Sequence, residues 1–521
     1  MIHKKRAGFL TLLMIIAIYG SASDSLNVNS FNTYRLLTLD NPWLNSGNAS
    51  GLAFNGLKSW AEFDAGTDFK KGDFHRIREA GDLNHYYFNA GSLQSFDNKF
   101  FLEGTFSYHY LDEKGAQWNG IYDPYSGNPY ILADSLSGTT FHKESYELSG
   151  KIAFKHSERL IIGAGIDYYA RVGAKQKDPR PKTTVCFINF HPSVILQKDK
   201  YSLGFDLGYS DREEEINYET KRSNFSPVFF MFKGFGFFTK EIDYGFTRFQ
   251  SAHDLTAGIQ FEKKRTESKS LTGLRLDYGL EEVTDGSSVV KKEDGGEWEK
   301  LHAGLNHLVT KRSGNKMHVL GGKFDFHGGF GKEYLQDVIY VGNHEEYITI
   351  SKNMKFKRLK MTGELSYDYL KMKERNRIDW DVKTNINLDN TTEKYYYIPE
   401  VFNSSFFNVT GNFLFQKNFY LGKIHITPGL NGAYNFNLSN SLFVSDLAEI
   451  TNTQRTDVYR QEFGYYCADY LKTGGICRIG FTPGKGKTID QMYLEMKAEY
   501  VKPIDLEEDF LSVGFKLAFV F

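Results

Sequence analysis

Residues 201–210 read YSLGFDLGYS. Tyr201, Leu203, Phe205, Leu207 and Tyr209 fall on one face of an extended chain, and Ser202, Gly204, Asp206, Gly208 and Ser210 on the other. A period of two is that of a β-strand with one apolar and one polar face. The pattern returns in KMTGELSYDY (360–369), QMYLEMKAEY (491–500) and LSVGFKLAFVF (511–521). A soluble sandwich alternates as well. These stretches run to ten residues or more, whereas globular strands average about 5–6. Their polar faces carry glycines, small residues and charges of both signs, as a wet lumen allows, and aromatics gather toward the ends of the apolar faces. In lipid every backbone N–H and C=O must pair within the protein, so a sheet placed there has to close. The reading is an all-β chain folded as a transmembrane antiparallel outer-membrane β-barrel over residues 56–521.

Punctuation between the alternating stretches gives the topology. Short turns are expected at Asp97-Asn98-Lys99, Ser157-Glu158, Lys198-Asp199-Lys200, Arg265 to Lys269, Arg312 to Asn315, Lys373 to Asn376, Lys417-Asn418 and Pro483 to Lys487. Long polar loops are expected near 113–142, 218–252, 285–297, 331–354, 389–404 and 437–470. Short periplasmic turns opposite long extracellular loops is the outer-membrane arrangement, and the spacing suits about 18 strands, within roughly 14 to 20.

The composition agrees. Aromatics make up 16% of the chain while charged residues make up 24%, a pairing that suits alternating strands rather than a dry core. A formal net charge of −1 gives no basic field for nucleic acid. Lys4, Lys5 and Arg6, the apolar run Phe9 to Tyr19 and the small residues Gly20-Ser21-Ala22 have the layout of a signal peptide, residues 1–22, cleaved after Ala22. Residues 23–55 lack the alternation. They form either a periplasmic lead-in or a plug-like lumenal segment. In an oxidising space Cys467 and Cys477, ten residues apart, could close a disulfide.

Chemistry is sparse. There is no GxSxG, HExxH or CxxC motif. Ser107 and His109 share an inner face and could resemble an outer-membrane lipid hydrolase site, but a lumenal hydrogen-bonded pair is the simpler reading. His344, Glu345 and Glu346 read as solvated loop surface, and no metal, catalytic residue or cofactor is expected. Inward charges form rows: Arg159, Asp167 and Arg171; Arg275 and Asp277; Lys323 and Asp325; Lys360, Glu364 and Asp368; Glu495, Lys497 and Glu499. Unpaired charges in a dry interior cost several kcal/mol each, so these rows imply water or a lumenal charge ladder.

One stretch breaks the pattern. Residues 226–240 read SPVFFMFKGFGFFTK, with Phe229, Phe230, Phe232, Phe235, Phe237 and Phe238 in one extracellular loop. Four roles suit it: a constriction that gates by dewetting, an apolar ligand site, a surface covered by another protein, or packing under its own loop or against lipid at the rim. Gly234 and Gly236 permit a tight bend.

Three resemblances sharpen the expectation. The terminal Phe521 on an alternating final strand is similar to the signature by which the barrel-assembly machinery recognises its substrates. NPWLNSGNASGLAF (41–54) and the Tyr/Asn-rich barrel behind it resemble an uncharacterised family of outer-membrane barrels of Bacteroidota. The same stretch is similar to the NPAGLAF-type motif of fatty-acid-transport barrels, whose N-terminal hatch blocks the lumen, although Trp43 and Leu44 stand where that family has Ala-Gly. Together these imply a Gram-negative outer membrane with its lipid bilayer and lipopolysaccharide. The expected role is a porin-like channel or transporter for a small solute or apolar ligand. The alternative is an accessory barrel beside a TonB-dependent receptor or surface lipoprotein.

Overall fold

A computed structural model describes residues 30–134, 139–221, 228–242, 245–286, 293–342, 344–373, 377–397, 400–444, 454–483 and 489–521. The expected signal peptide lies outside them. The main sheet holds nineteen antiparallel strands, from Ser59–Gly72 to Phe510–Val520. Phe419–Leu421 continues the strand Glu400–Lys417 past Asn418, and both pair with Ile424–Phe443, so the wall has eighteen staves. Each stave pairs with the next in sequence. The sheet then closes on itself, the first strand pairing with the last from Glu62↔Val520 to Gly72↔Phe510. At this seam Ala61 and Phe521 exchange backbone hydrogen bonds of 3.2 and 2.9 Å, and the Phe521 ring packs edge-on against Phe63.

Alternation decides which way the wall faces. Leu207, Leu255, Leu365 and Leu430 are 57–67% exposed on the outside. Ser202 and Gly204, on the opposite face, are buried. A continuous apolar exterior of this kind is stable only against lipid. Near the short turns Phe100 stacks on Phe154 (4.6 Å) and Tyr201 on Phe261 (5.8 Å), the aromatic edge of that belt.

Among the described residues tight turns stand where chain punctuation placed them, with positive φ at Asp97, Asn98, Asp199 and Gly314; the turns expected at Lys373 to Asn376 and Pro483 to Lys487 lie largely outside the described residues. One is displaced. Asn418 is not a turn: its backbone N–H donates to Asp379 O (2.7 Å) and its side chain accepts from Thr427 (2.7 Å), and the chain reverses at Gly422 instead. The segments 331–354 and 389–404 are mostly strand rather than loop. Lys316–Val341 and His344–Lys373 rise together as a long hairpin. Above the membrane both faces of a ribbon meet water, so alternation fades and a strand reads as a loop.

Candidate functional site

The lumen is closed at both mouths by the chain itself. At the short-turn end the closure is built from residues 30–57. Its local structure is written in caps: the Ser30 side chain accepts from Thr33 N at the start of the helix Phe31–Asp40, Asn41 caps the turn Pro42–Asn45, and Asn48 caps Ala49–Phe54. Ser30, Asn41 and Asn48 thus each start a helical turn by capping it.

The segment crosses the mouth and touches wall on every side. Tyr34 stacks on Trp60 (4.1 Å), and burial pushes its phenol up to about 12. Leu36 and Leu39 lie against Met317, Leu370 and Ile378. Trp43, Leu52 and Ala53 pack with Leu93, Phe101 and Ile195. Polar ties accompany them: Arg35 to Asp381, Lys269 to Asp40 (3.0 Å), Trp43 Nε1 to Glu262 (2.6 Å), Asn48 to Gln260 (2.9 Å) and Ser50 N to Ser193 Oγ (2.9 Å). Two inward glycines seat the segment. A Cβ on Gly163 would stand 2.5 Å from Ser50 N, and one on Gly204 2.7 Å from the Trp43 ring.

At the long-loop end the phenylalanine run forms a hairpin, Val228–Gly234 and Phe237–Ile242, folded into the mouth. Gly234, Phe235 and Gly236 make its turn with φ of 107, 51 and 73°. The strand Leu132–Asp134 adds to it as a third strand. None of the six phenylalanines is more than 6% exposed. Phe229, Phe230, Phe232 and Phe238 pack with Ile216, Tyr218, Phe246 and Trp118. Phe235 and Phe237 reach the other wall at Phe356, Tyr395 and Phe402. The run is thus covered by its own barrel and loops, not left open to another protein. The helix Thr456–Cys467 and the residues just before it close the remaining side: Gln454 donates to Phe235 O (2.7 Å) and, from the helix, Tyr459 stacks on Phe235 (4.5 Å). Tyr125 donates to Glu462 (3.1 Å), whose carboxyl burial pushes upward.

Cys467 ends this helix, whereas Cys477 lies seven residues into the strand Tyr470–Phe481, and both are free thiols. At about 3.3 Å per strand residue they are carried apart, far beyond the ~7 Å between Cα atoms that a disulfide tolerates.

Between the closures the wall is polar, and its charges pair both across strands and along the rows. Asp167 accepts from Ser149 (2.6 Å) and Asn189 (2.9 Å) and faces His191 (3.3 Å). Arg171 pairs with Glu147 (2.8 Å), and Arg159 lies in an exposed turn, away from both. Lys360 joins Asp389 (2.9 Å) and Asp368 joins Lys383 (3.5 Å). Glu495 holds Arg478, and Glu499 binds Lys472 (3.1 Å) and Lys497 (3.2 Å). Arg275 with Asp277 (3.0 Å) and Lys323 with Asp325 (3.1 Å) do pair on one strand, as their rows implied. His109 bonds His85 (3.0 Å) rather than Ser107. Glu364 lines a cavity of about 410 Å³ together with Asp368, Lys383, Asn385, Asn412 and Asn431. Sequence reasoning missed the three asparagines, because an inward Asn on a barrel strand has no distinguishing neighbour until the register is known.

No curated protein matches the chain. Among solved structures, the outer membrane transporter YddB from Escherichia coli aligns over 88% of this chain and 81% of its own, at 8% identity and a TM-score of 0.40. A mutant of the ferric enterobactin receptor PfeA from Pseudomonas aeruginosa aligns over 89% and 81%, at 7% identity and 0.38. The copper transporter OprC aligns over 88% and 81%, at 8% and 0.39. The likeness to fatty-acid-transport barrels is one of a short sequence stretch, residues 41–54. A family model matches residues 49–521, and the chain belongs to the family of unknown function DUF6850.

Proposed function

We propose that the protein is a gated conduit for a small polar solute in the outer membrane of a Gram-negative bacterium. The short turns and residues 30–57 face the periplasm, and the phenylalanine hairpin faces outward. The observation that carries this reading is the polar recess of about 410 Å³ in the wall, in a lumen whose two mouths are filled by separable chain segments. Its size suits a small-molecule site, and its amides, hydroxyls and opposite charges suit a polar rather than an apolar ligand. A protein needing only a scaffold could fill such a lumen with side chains. The reading is non-enzymatic: His109 is engaged by His85, whose other nitrogen faces Asp68 (3.2 Å).

A second reading, an accessory barrel bound to an uptake receptor or surface lipoprotein, draws on the ribbon 333–354. Wall pairing stops at Lys332 on one side and Phe356 on the other, and Leu335, Tyr340 and Ile350 stand 58–73% exposed beyond it.

Proteoliposome swelling separates the two. A variant lacking residues 30–57 and carrying Phe229→Ser, Phe232→Ser, Phe235→Ser and Phe237→Ser is expected to admit small sugars or amino acids, while the full chain does not. A doubly opened barrel that still migrates as a folded, heat-modifiable band yet admits no solute would remove the conduit reading and leave the accessory one.

A further inference from the structure

Strand register brings together a cluster that lies apart in sequence. His302 stands directly opposite His327, and their rings stack at 4.4 Å. Asp325 shares the lumenal face with His327, two residues away. One ligand atom from each of His302, Asp325 and His327 lies within 4.8 Å of the others. We propose that these three residues form a binding site for a divalent transition metal of the zinc class, on the inner wall of the barrel.

The hydrogen bonds around His302 argue for this. Its Nδ1 lies 2.5 Å from Asp277 Oδ2. Asp277 is itself fixed by Thr256 and by Arg275 at 3.0 Å. A carboxylate on one ring nitrogen, braced from behind, sets the tautomer and aims the other nitrogen, as the outer shell of a metal-binding histidine does. With the proton on Nδ1, the Nε2 lone pair faces Asp325 Oδ1 at 3.0 Å. Two acceptors at that distance repel unless a cation joins them. A second proton on His302 could serve, but it engages only two of the three ligand atoms, and His327 supplies the third. Ligand atoms of a tetrahedral zinc site stand roughly 3.3 Å apart. The 3.0 Å contact and the 4.8 Å outer limit bracket that spacing.

The charges nearby leave room for it. Lys323 is held on the other oxygen of Asp325 (3.1 Å), Lys360 on Asp389 (2.9 Å), Lys300 on Asp254 (2.8 Å) and Arg275 on Asp277. Each neighbouring cation is thus already paired, Lys323 through the Asp325 oxygen that does not face His302. Two imidazole nitrogens with one carboxylate oxygen suit Zn²⁺ and, by the usual affinity order, Cu²⁺ more strongly still. His327 is exposed to the lumen, which leaves the fourth position for water or a solute.

The test uses the full chain, folded in detergent, stripped with EDTA and titrated with zinc chloride against a chelating indicator. The wild type is expected to take up one zinc per chain at neutral pH. His327→Ala and Asp325→Asn are expected to weaken it at least about 10-fold, and Asp277→Asn about 10–100-fold. His327→Gln keeps side-chain bulk as a second variant, and heat-modifiable migration reports folding for each. Equal zinc uptake by the wild type and a folded His302→Ala/His327→Ala double variant, or none by either, would overturn the proposal. Solute passage does not enter this readout, so the site stands or falls separately from the conduit reading.

Discussion

Phe229→Ala is expected to loosen the outer closure by about 3–5 kcal/mol, the usual cost of emptying a fully buried aromatic site. Phe229 is 0% exposed and lies between Tyr218 (4.4 Å) and Phe246 (5.8 Å), two residues of the wall. Truncation removes the ring and leaves a void that the wall cannot collapse into, because the ladder from Glu219↔Gly245 downward holds both neighbours in place. The barrel should be untouched for the same reason. Limited proteolysis within 220–244 should accelerate by two orders of magnitude or more if about 3 kcal/mol of docking is lost and cleavage follows the open population. Heat-modifiable migration should not change. Unaltered protection in the folded variant would mean that the hairpin is not held by its phenylalanines.

Arg35→Ala should have a comparable effect at the other mouth. Asp381 is 0% exposed in its side chain and is paired with Arg35 from the plugging segment. Removing one partner of a buried pair leaves a charge without compensation and costs about 3–5 kcal/mol, whereas replacing both by apolar residues is often neutral. The double change Arg35→Met/Asp381→Leu should therefore restore much of the docking. The readout is maleimide labelling of a reporter cysteine at the buried Ala49, with Cys186, Cys467 and Cys477 replaced by serine. Arg35→Ala should speed labelling strongly and the double variant should reverse most of the gain. Equal labelling of all three proteins would show that the ion pair does not retain the segment.

The wall was legible because lipid enforces alternation. YSLGFDLGYS and LSVGFKLAFVF carry the barrel in their period of two, and tight turns such as Asp97-Asn98 announce themselves by residue type. What escaped was anything set by register. The rows of inward charge were visible, but their partners lie across strands: Lys360 with Asp389, Asp368 with Lys383. The two closures stood only as alternatives, a plug-like segment and a constriction, for a related reason. Inward apolar residues such as Met317 and Ile195 interrupt the polar face near the short turns, and a strand that is apolar on both faces looks merely irregular. Gly204 reads as one of the small residues of a polar face, yet it and Gly163 each seat the plugging segment. The phenylalanine run was conspicuous without being interpretable, since its cover comes from loops and wall hundreds of residues apart, among them Trp118, Phe402 and Tyr459. The His302, Asp325 and His327 cluster likewise exists only once two neighbouring strands are aligned.

The central claim is that one chain builds both the barrel and the two stoppers that close it. Single-channel recording in planar bilayers tests this most directly. Full-length protein, inserted and shown to be folded, should hold the baseline without stepwise openings. The variant lacking residues 30–57 and carrying the four serine substitutions in the hairpin should give discrete, stable conductance steps. Steady conductance from the unaltered full-length chain would contradict the account.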